Sequence, residues 1–404
     1  MKQFNIPSIF RSPIITKVKA IRKLTDPHKK DFSPTKLDFD IIQLYVARHF
    51  GFCYGVENAI EIAYRAIDEN KGKRIFLLSQ MIHNPFVNDD LQDEGVRFLQ
   101  DTSGNQLIPW EELQPEDVVI LPAFGTTIEI NEKLTERGVS VERYNTTCPF
   151  VEKVWNRSEK LSTEDFTIII HGKSTHEETR ATFSHTVAHS HAVVVRDMNE
   201  AQFLCDVLTG KRSSSEFYAF FSGKYSEGFD PELHLDRVGV VNQTTMLASE
   251  TQAIADLFKT TVEAYNLAHH SDKQVADTRD TLCYATNENQ RATIALMAEQ
   301  LDVAIVVGGY NSSNTTHLVE MLETTCPTFF IKDESCIESL ENISHFNIHN
   351  KHLETTSNWM NGKKVGVTSG ASCPDSIIDA VISKLILLSG SEVSIDEAIG
   401  RLSD

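Results

Sequence analysis

Three of the seven cysteines share one local setting, in which strand-like residues precede the cysteine and a helical pattern follows it. Cys53 lies in Gly51-Phe52-Cys53-Tyr54-Gly55 and leads into Val56, Ala59, Ile60, Ala63 and Ile67 at helical spacing. Cys148 lies in Thr146-Thr147-Cys148-Pro149 and leads into Val151, Val154, Trp155 and Ser158. Pro149 suits a first helical position, where no backbone donor is lost. Cys283, in Thr281-Leu282-Cys283-Tyr284, leads into a run of good helix formers ending near Leu301. A helix start carries partial positive charge and unpaired N–H groups, which favour a thiolate over a thiol. The three cysteines are 95 and 135 residues apart, about one domain each. Three such thiolates could together hold an iron–sulfur cluster with one iron left open, unlike a cluster ligated by four cysteines. The plain alternative is three small buried hydrophobes.

Several polar segments also follow strand-like runs. They are His83-Asn84-Pro85, the stretch from His171 to Thr179 (HGKSTHEET), Asn242-Gln243-Thr244-Thr245, the stretch from Gly308 to Asn314 (GGYNSSN), and Ser369-Gly370-Ala371-Ser372. Ligands of α/β folds bind beyond the carboxyl ends of the strands, and these side chains and glycine-freed amides suit phosphate oxygens. Any one segment is equally a turn or a helix cap. Five of them point to an anion site. Two patterns mislead. Gly172-Lys173-Ser174 resembles the end of a phosphate-binding loop, but Thr167 stands where that motif needs glycine. His185, His189 and His191 are spaced like metal ligands without a framing cysteine or carboxylate, so an exposed loop and strand are expected there. Likewise His176-Glu177-Glu178 lacks the second histidine of a metalloprotease helix.

The elements that must position these residues alternate strand and helix. Strands are expected at Ile41 to Val46, Ile75 to Leu78, Val118 to Leu121, Thr167 to Ile170, Ala192 to Val195, Val238 to Val241, Val303 to Val307 and Lys364 to Thr368. Several are unbroken Val/Ile runs, as in parallel strands covered on both faces. The pattern predicts an α/β fold with largely parallel sheets. The expected divisions are a basic extension over 1–40, α/β domains over 41–147, 148–282 and 283–384, and a tail over 385–404. A polar stretch near 209–231 reads as a surface insertion in the second domain.

The chain has 404 residues and a net charge of −19, but residues 1–36 carry nine basic and two acidic side chains. The first stretch therefore reads as a basic, partly ordered arm on an acidic body; a transit peptide is the minority reading, and no secretory signal pattern is present. The acidic balance argues against broad nucleic-acid binding. No apolar run nears the roughly 20 residues of a membrane span. An odd number of cysteines, widely spaced and without a Cys-x-x-Cys pair, suits a reducing compartment such as the cytoplasm. Cys205, Cys326, Cys336 and Cys373 lack the strand–cysteine–helix context and read as core.

The segments GFCYGV, HNPFV, TTCPFVEKV, HEET, NQTT, CYATNENQ, NSSN and TSGAS resemble, in order as well as type, the LytB family of 4-hydroxy-3-methylbut-2-enyl diphosphate reductases, over residues 42–384. The N-terminal extension and the insertion look like the longer branch of cyanobacteria and plants. The resemblance implies three similar α/β domains around one central 4Fe–4S cluster per chain, held by Cys53, Cys148 and Cys283. It implies a diphosphate gripped by His83, His176, Ser312, Asn314 and Ser372, with Asn311 and Ser313 close by. Glu178, Thr244 and His176 would be the catalytic side chains, Glu178 feeding protons toward a hydroxyl bound at the open iron. Two electrons, from reduced ferredoxin or flavodoxin, would give isopentenyl and dimethylallyl diphosphate and water, the last step of the non-mevalonate isoprenoid pathway. A diphosphate held this way in an acidic protein calls for a locally positive pocket, with a protonated His83 or His176 as one source.

One departure stands out. Shorter members carry a further diphosphate-contacting histidine where this chain reads Pro122-Ala123-Phe124-Gly125-Thr126, and Phe124 cannot donate; Thr126 is a neighbour able to replace it. Rival readings are a quinolinate synthase type of three-cysteine enzyme, a non-catalytic iron–sulfur sensor, and a zinc hydrolase. The NSSN and HEET segments fit the first poorly, and neither of the others gives the polar loops a role.

Overall fold

The computed structural model describes residues 4–28, 30–276, 281, 283–360 and 362–402. All eight expected strands form, and the unbroken aliphatic runs are buried along their whole length: Ile168, Ile169 and Ile170, and every residue from Val303 to Val307, are sealed from solvent. Covered on both faces, such strands pair in parallel and are joined by helical crossovers.

The chain divides into two compact units. The first comprises residues up to Glu57, His83–Val87 and Tyr284 onward. Its five-stranded sheet runs in the order Thr35–Asp38, Gln43–Val46, Lys364–Ser369, Val303–Val307 and Thr328–Ile331. Every pairing is parallel except that of the edge strand Thr35–Asp38. A hairpin, Asn342–Asn347 with His352–Ser357, completes this unit's strands. The second unit, Asn58–Ile82 with Asn88–Cys283, holds two parallel sheets. One orders Arg97–Phe98, Ile75–Leu77 and Val118–Ile120; the other orders Ala192–Val195, Thr167–His171, Arg237–Asn242 and Gln274–Ala276. Among the described residues no helix is long and apolar enough to cross a membrane.

The strand Gln43–Val46, expected near the start of the first domain, pairs with Lys364–Val367, so its sheet is completed by the last third of the chain. Parallel partners need not be neighbours in sequence, and local patterning cannot choose between them.

The N-terminal extension is folded into the first unit. Ser12 caps a helix, Pro13–Thr25, by accepting from the Ile15 amide. Asp379 from the C-terminal helix Asp375–Ser389 accepts from the amides of Ile14 and Ile15, each at 3.2 Å. Phe10, Ile15 and Val18 are buried, and Lys19 pairs with Asp375 at 2.7 Å. At the other end, a short helix, Ile395–Gly400, sinks Ala398 and Ile399 into the same core, so the tail is also structured.

The stretch expected as an insertion forms a helix, Ser214–Phe220, with a capping box between Ser213 and Glu216. Phe217, Phe221 and Phe229 are buried with Val193, Val195 and Leu204, and Tyr225 packs against them. Lys224 and Ser226 exchange backbone hydrogen bonds with Val194 and Ala192 at 2.7 and 2.9 Å, covering the exposed edge of that strand. The four-residue spacing of these aromatics is hidden among serines and charges in the sequence.

If the insertion is part of the core, Phe217→Ala should lower stability by about 3–5 kcal/mol, the usual cost of emptying a buried phenylalanine site. Leu233→Ala, on a side chain 68% exposed, should cost under about 0.5 kcal/mol. Urea titration of both variants checks the contrast; equal, small losses would return the insertion to the status of a surface appendage.

Candidate active site

In the first unit, three parallel strands, Gln43–Val46, Val303–Val307 and Lys364–Ser369, end beside one another, and the loops beyond them carry the expected residues. Cys53 immediately precedes the helix Tyr54–Glu69, and its carbonyl accepts the first helical bond, from Glu57, at 3.0 Å. The Cys53 amide donates to Ala371 O at 3.3 Å and the Gly51 amide to Ser369 Oγ at 3.2 Å, tying this cysteine to the Ser369–Ser372 loop. Gly51 sits at φ +79°, a backbone conformation that side chains other than glycine's disfavour. Two aromatic residues of the N-terminal extension pack here: Phe4 on Tyr54, with centroids 5.0 Å apart, and Phe10 on Phe52 and Phe86, at 5.9 and 5.8 Å.

Ser312 caps the helix Ser313–Leu322, accepting from the amide of Thr315 at 3.3 Å and its hydroxyl at 2.9 Å. The preceding Gly309 lies so close to His83 that a Cβ there would collide with its carbonyl. The same carbonyl accepts from Ser372 Oγ at 3.3 Å. His83, Ser312, Ser313, Asn314 and Ser372 are thus gathered in one unit, whereas Asn311 is exposed. The Ser313 hydroxyl and both polar atoms of the Asn314 amide are buried with no hydrogen-bond partner among the described residues. A buried polar group left so costs about 1–3 kcal/mol, and an anion's oxygens would supply what the donors lack.

In the second unit, Cys148 occupies the cap position of the helix Pro149–Ser162, with Pro149 at its first position as expected. Its amide donates to Ala123 O at 3.0 Å. His176 caps the helix Glu177–Val187 through Nδ1, which accepts from the Glu178 amide at 3.2 Å. A ring that accepts at Nδ1 is neutral and carries its proton on Nε2. This geometry assigns His176 the neutral form, so the protonated histidine considered above is not what this residue provides. Phe124 meets the His176 ring perpendicularly, centroids 5.6 Å apart. Thr126 Oγ1, two residues on, is buried without a partner among the described residues.

Glu178 is almost wholly buried and accepts from both the amide and the hydroxyl of Thr244, the latter at 3.0 Å. Burial pushes its carboxyl up to about 7, with the two Thr244 donors pulling the other way. Gln243 Oε1 accepts from the Lys173 amide at 3.1 Å and Thr179 Oγ1 at 2.9 Å, locking the HEET and NQTT loops together. The neighbouring Glu177, also buried, accepts from Ser79 Oγ. Cys283 directly precedes the helix Tyr284–Met297, and Thr281 Oγ1 donates to Asn242 Oδ1 at 2.8 Å.

Cys53 belongs to the first unit and Cys148 and Cys283 to the second, so neither unit holds all three thiols. Among the described residues, no three His, Cys, Asp or Glu side chains form a metal-binding group. The donor chemistry nonetheless separates the three from the rest. Each is half-buried at a helix start, and none of the seven cysteines is in a disulfide. Burial pushes the Cys205 thiol up to about 12 and raises Cys326 and Cys373 too, which keeps those sulfurs protonated. Three thiols that helix starts favour as thiolates fit an iron–sulfur group; the core cysteines do not. Thr315, which holds its loop in place, carries no distinguishing sequence signal, whereas Gln243 lies in the polar NQTT segment. His185 was expected to be exposed, but it is half-buried against Trp155.

Comparison with known proteins gives a consistent result. The sequence model described as LytB protein matches residues 44–386. A protein of Gloeobacter violaceus named 4-hydroxy-3-methylbut-2-enyl diphosphate reductase is 41% identical over 355 residues, covering 86% of this chain and 84% of its own. One of the same name from Parasynechococcus marenigrum is 42% identical over 360 residues, covering 88% of each chain. A solved structure described as (E)-4-hydroxy-3-methyl-but-2-enyl diphosphate reductase, the terminal enzyme of the non-mevalonate pathway, is 26% identical with a TM-score of 0.51; the match covers 85% of this chain and 98% of that one. A reductase structure from Plasmodium falciparum, 20% identical with a TM-score of 0.60 and covering 84% and 86% of the two chains, shows likeness of fold.

A carboxyl raised from 4.5 to about 7 has a stability signature. Between those values the unfolded chain ionises while the native one keeps its proton, so the group's contribution is present below about pH 4.5 and is lost as pH rises through 7. The full span corresponds to roughly 3 kcal/mol. Glu178→Gln cannot titrate, and an amide can both accept from and donate to Thr244. The stability difference between variant and wild type should therefore shift in the variant's favour by roughly 3 kcal/mol from pH 4 to pH 8. Urea unfolding at both pH values measures it, and a difference indifferent to pH would rule out the raised carboxyl.

Proposed function

This chain belongs to the LytB family, and from that premise we propose that it reduces 4-hydroxy-3-methylbut-2-enyl diphosphate to isopentenyl and dimethylallyl diphosphate. The substrate takes up two electrons and two protons; its C–O bond breaks and water leaves. The observation that carries the reading is Glu178, a sealed carboxyl held by Thr244 that keeps a proton near neutrality.

A 4Fe–4S cluster held by Cys53, Cys148 and Cys283 would supply the electrons and, with three thiolates for four irons, a Lewis-acidic iron open to substrate. The protein's own groups do the rest. Ser313 and Asn314, whose buried donors lack partners among the described residues, would bind diphosphate oxygens together with Ser312, Ser372 and His83. His176 would add its Nε2–H as a neutral donor. Anchoring this remote end orients the reacting hydroxyl. Glu178 would pass its proton to the departing oxygen, so that water rather than hydroxide leaves. Thr244 fixes the carboxyl and would lie near the reacting carbon chain. Asn311, exposed on the same loop, has at most a peripheral part in this scheme. Electrons would come from reduced ferredoxin or flavodoxin in a reducing compartment such as the cytoplasm.

Protein purified without oxygen should be brown with about four irons per chain, and with dithionite and a mediator dye it should form both products. Cys148→Ser should lose the iron. Glu178→Gln should keep the iron and lose about 100-fold or more in turnover. Wild-type turnover should fall as pH rises past about 7 and the acid form of Glu178 is lost. Colourless, inactive protein would reject the assignment, and full activity in Glu178→Gln would reject the proton donor.

A further inference from the structure

His185 lies nine residues beyond His176 on the same helix, about 14 Å along its axis, too far to touch what His176 touches. Yet both ends of this helix meet the same loop, residues 122–127. At the far end, His185 Nε2 bonds Thr126 O at 3.1 Å; a carbonyl only accepts, so Nε2 carries the proton. Ser184 Oγ accepts from the Ile128 amide at 3.0 Å. At the near end, Phe124 stands perpendicular to the His176 ring.

Trp155 backs this arrangement. Its indole stacks on the His185 imidazole, centroids 3.8 Å apart and planes 10° from parallel. Its Nε1 donates to Thr182 Oγ1 at 3.1 Å, fixing the indole to the same helix. Gly125, at φ +77°, leaves no room for a Cβ because the indole fills that space. Burial lowers the affinity of His185 for a second proton, which keeps the ring neutral and its donor in place.

We propose that His185, backed by Trp155, is a positioning residue for diphosphate binding: it holds the 122–127 loop so that Phe124 pins the His176 ring. With Nδ1 committed to the Glu178 amide and Phe124 set perpendicular against the ring, His176 keeps Nε2–H as a fixed donor. The role rests on the function proposed above. It predicts an effect on binding the anion with little effect on the chemical step.

The test uses full-length, cluster-loaded protein. His185→Phe keeps a ring on Trp155 and removes the donor. Losing one hydrogen bond's worth of positioning should raise KM, and the inhibition constant for inorganic diphosphate, about tenfold. Iron content and kcat should stay within about twofold of wild type on the same argument. His185→Gln restores an N–H at similar reach and should recover most of the loss. In the same protein labelled with 15N-histidine, His176 should change from one fixed tautomer in the wild type to an averaged signal in His185→Phe. Unchanged KM, diphosphate inhibition and His176 signal in His185→Phe would overturn the proposal, as would equal loss of iron and fold in both variants. Wild-type protein that never turns over the substrate would instead reject the assigned reaction, and the 15N signal would still decide whether His185 positions His176.

Discussion

A parallel strand buried on both faces must be followed by a turn and, in this chain, usually by the first turn of a helix. The unpaired amides of that turn then lie beyond the sheet's carboxyl edge. His176 and Ser312 each occupy the cap position of such a helix and Cys53 directly precedes one, while Cys148 caps a helix and Cys283 precedes one without a buried strand immediately before them. Thiolate, phosphate oxygen and carboxylate are all favoured there by the same partial charge. One backbone rule would therefore serve both proposed roles, thiolate ligation and anion binding, alike. In that scheme backbone amides and neutral side-chain donors, His176 among them, would offer a diphosphate its partners within an acidic chain.

Glu178 shows which of two opposing effects prevails. It sits in the first turn of its helix, where the dipole stabilises a charged carboxylate by about 0.3–1 kcal/mol, or about 2 at most. Two donors from Thr244 pull the same way. Removal from water still dominates, and the carboxyl rises to about 7, equivalent to roughly 3 kcal/mol in the opposite sense. The donors limit the rise and fix the orientation of the carboxyl.

Local sequence carries what local physics decides. The helix starts after Cys148 and Ser312 are readable because Pro149 and a serine cap are chemically suited to those positions, and the aliphatic runs reveal buried strands. What depends on distant partners is not readable. Gln43–Val46 could have joined any parallel sheet, and only packing commits it to Lys364–Val367. The neutral state of His176 depends on an amide that only the folded helix presents. Asn311 and Asn314 look alike in sequence, yet the first is exposed and the second buried, because one precedes the helix cap and the other lies within its first turn. His185 acquires its role from Trp155, thirty residues earlier, and nothing in either residue's neighbourhood signals the stack.

The two segments that looked least structured both solve the same problem. A parallel sheet leaves an unpaired strand edge open to wrong partners. The N-terminal extension covers one such edge by pairing Thr35–Asp38 antiparallel to Gln43–Val46, the strand whose loop leads to Cys53. The insertion covers another by hydrogen-bonding Lys224 and Ser226 to Ala192–Val195, which neighbours the strand leading to Glu178. Each is anchored by aromatic residues, Phe10 in the first case and Phe217, Phe221 and Phe229 in the second. Both additions pair with the edge of a sheet that carries candidate site loops. Their polar composition hides this because a covering segment needs only one apolar side, and its other face meets water.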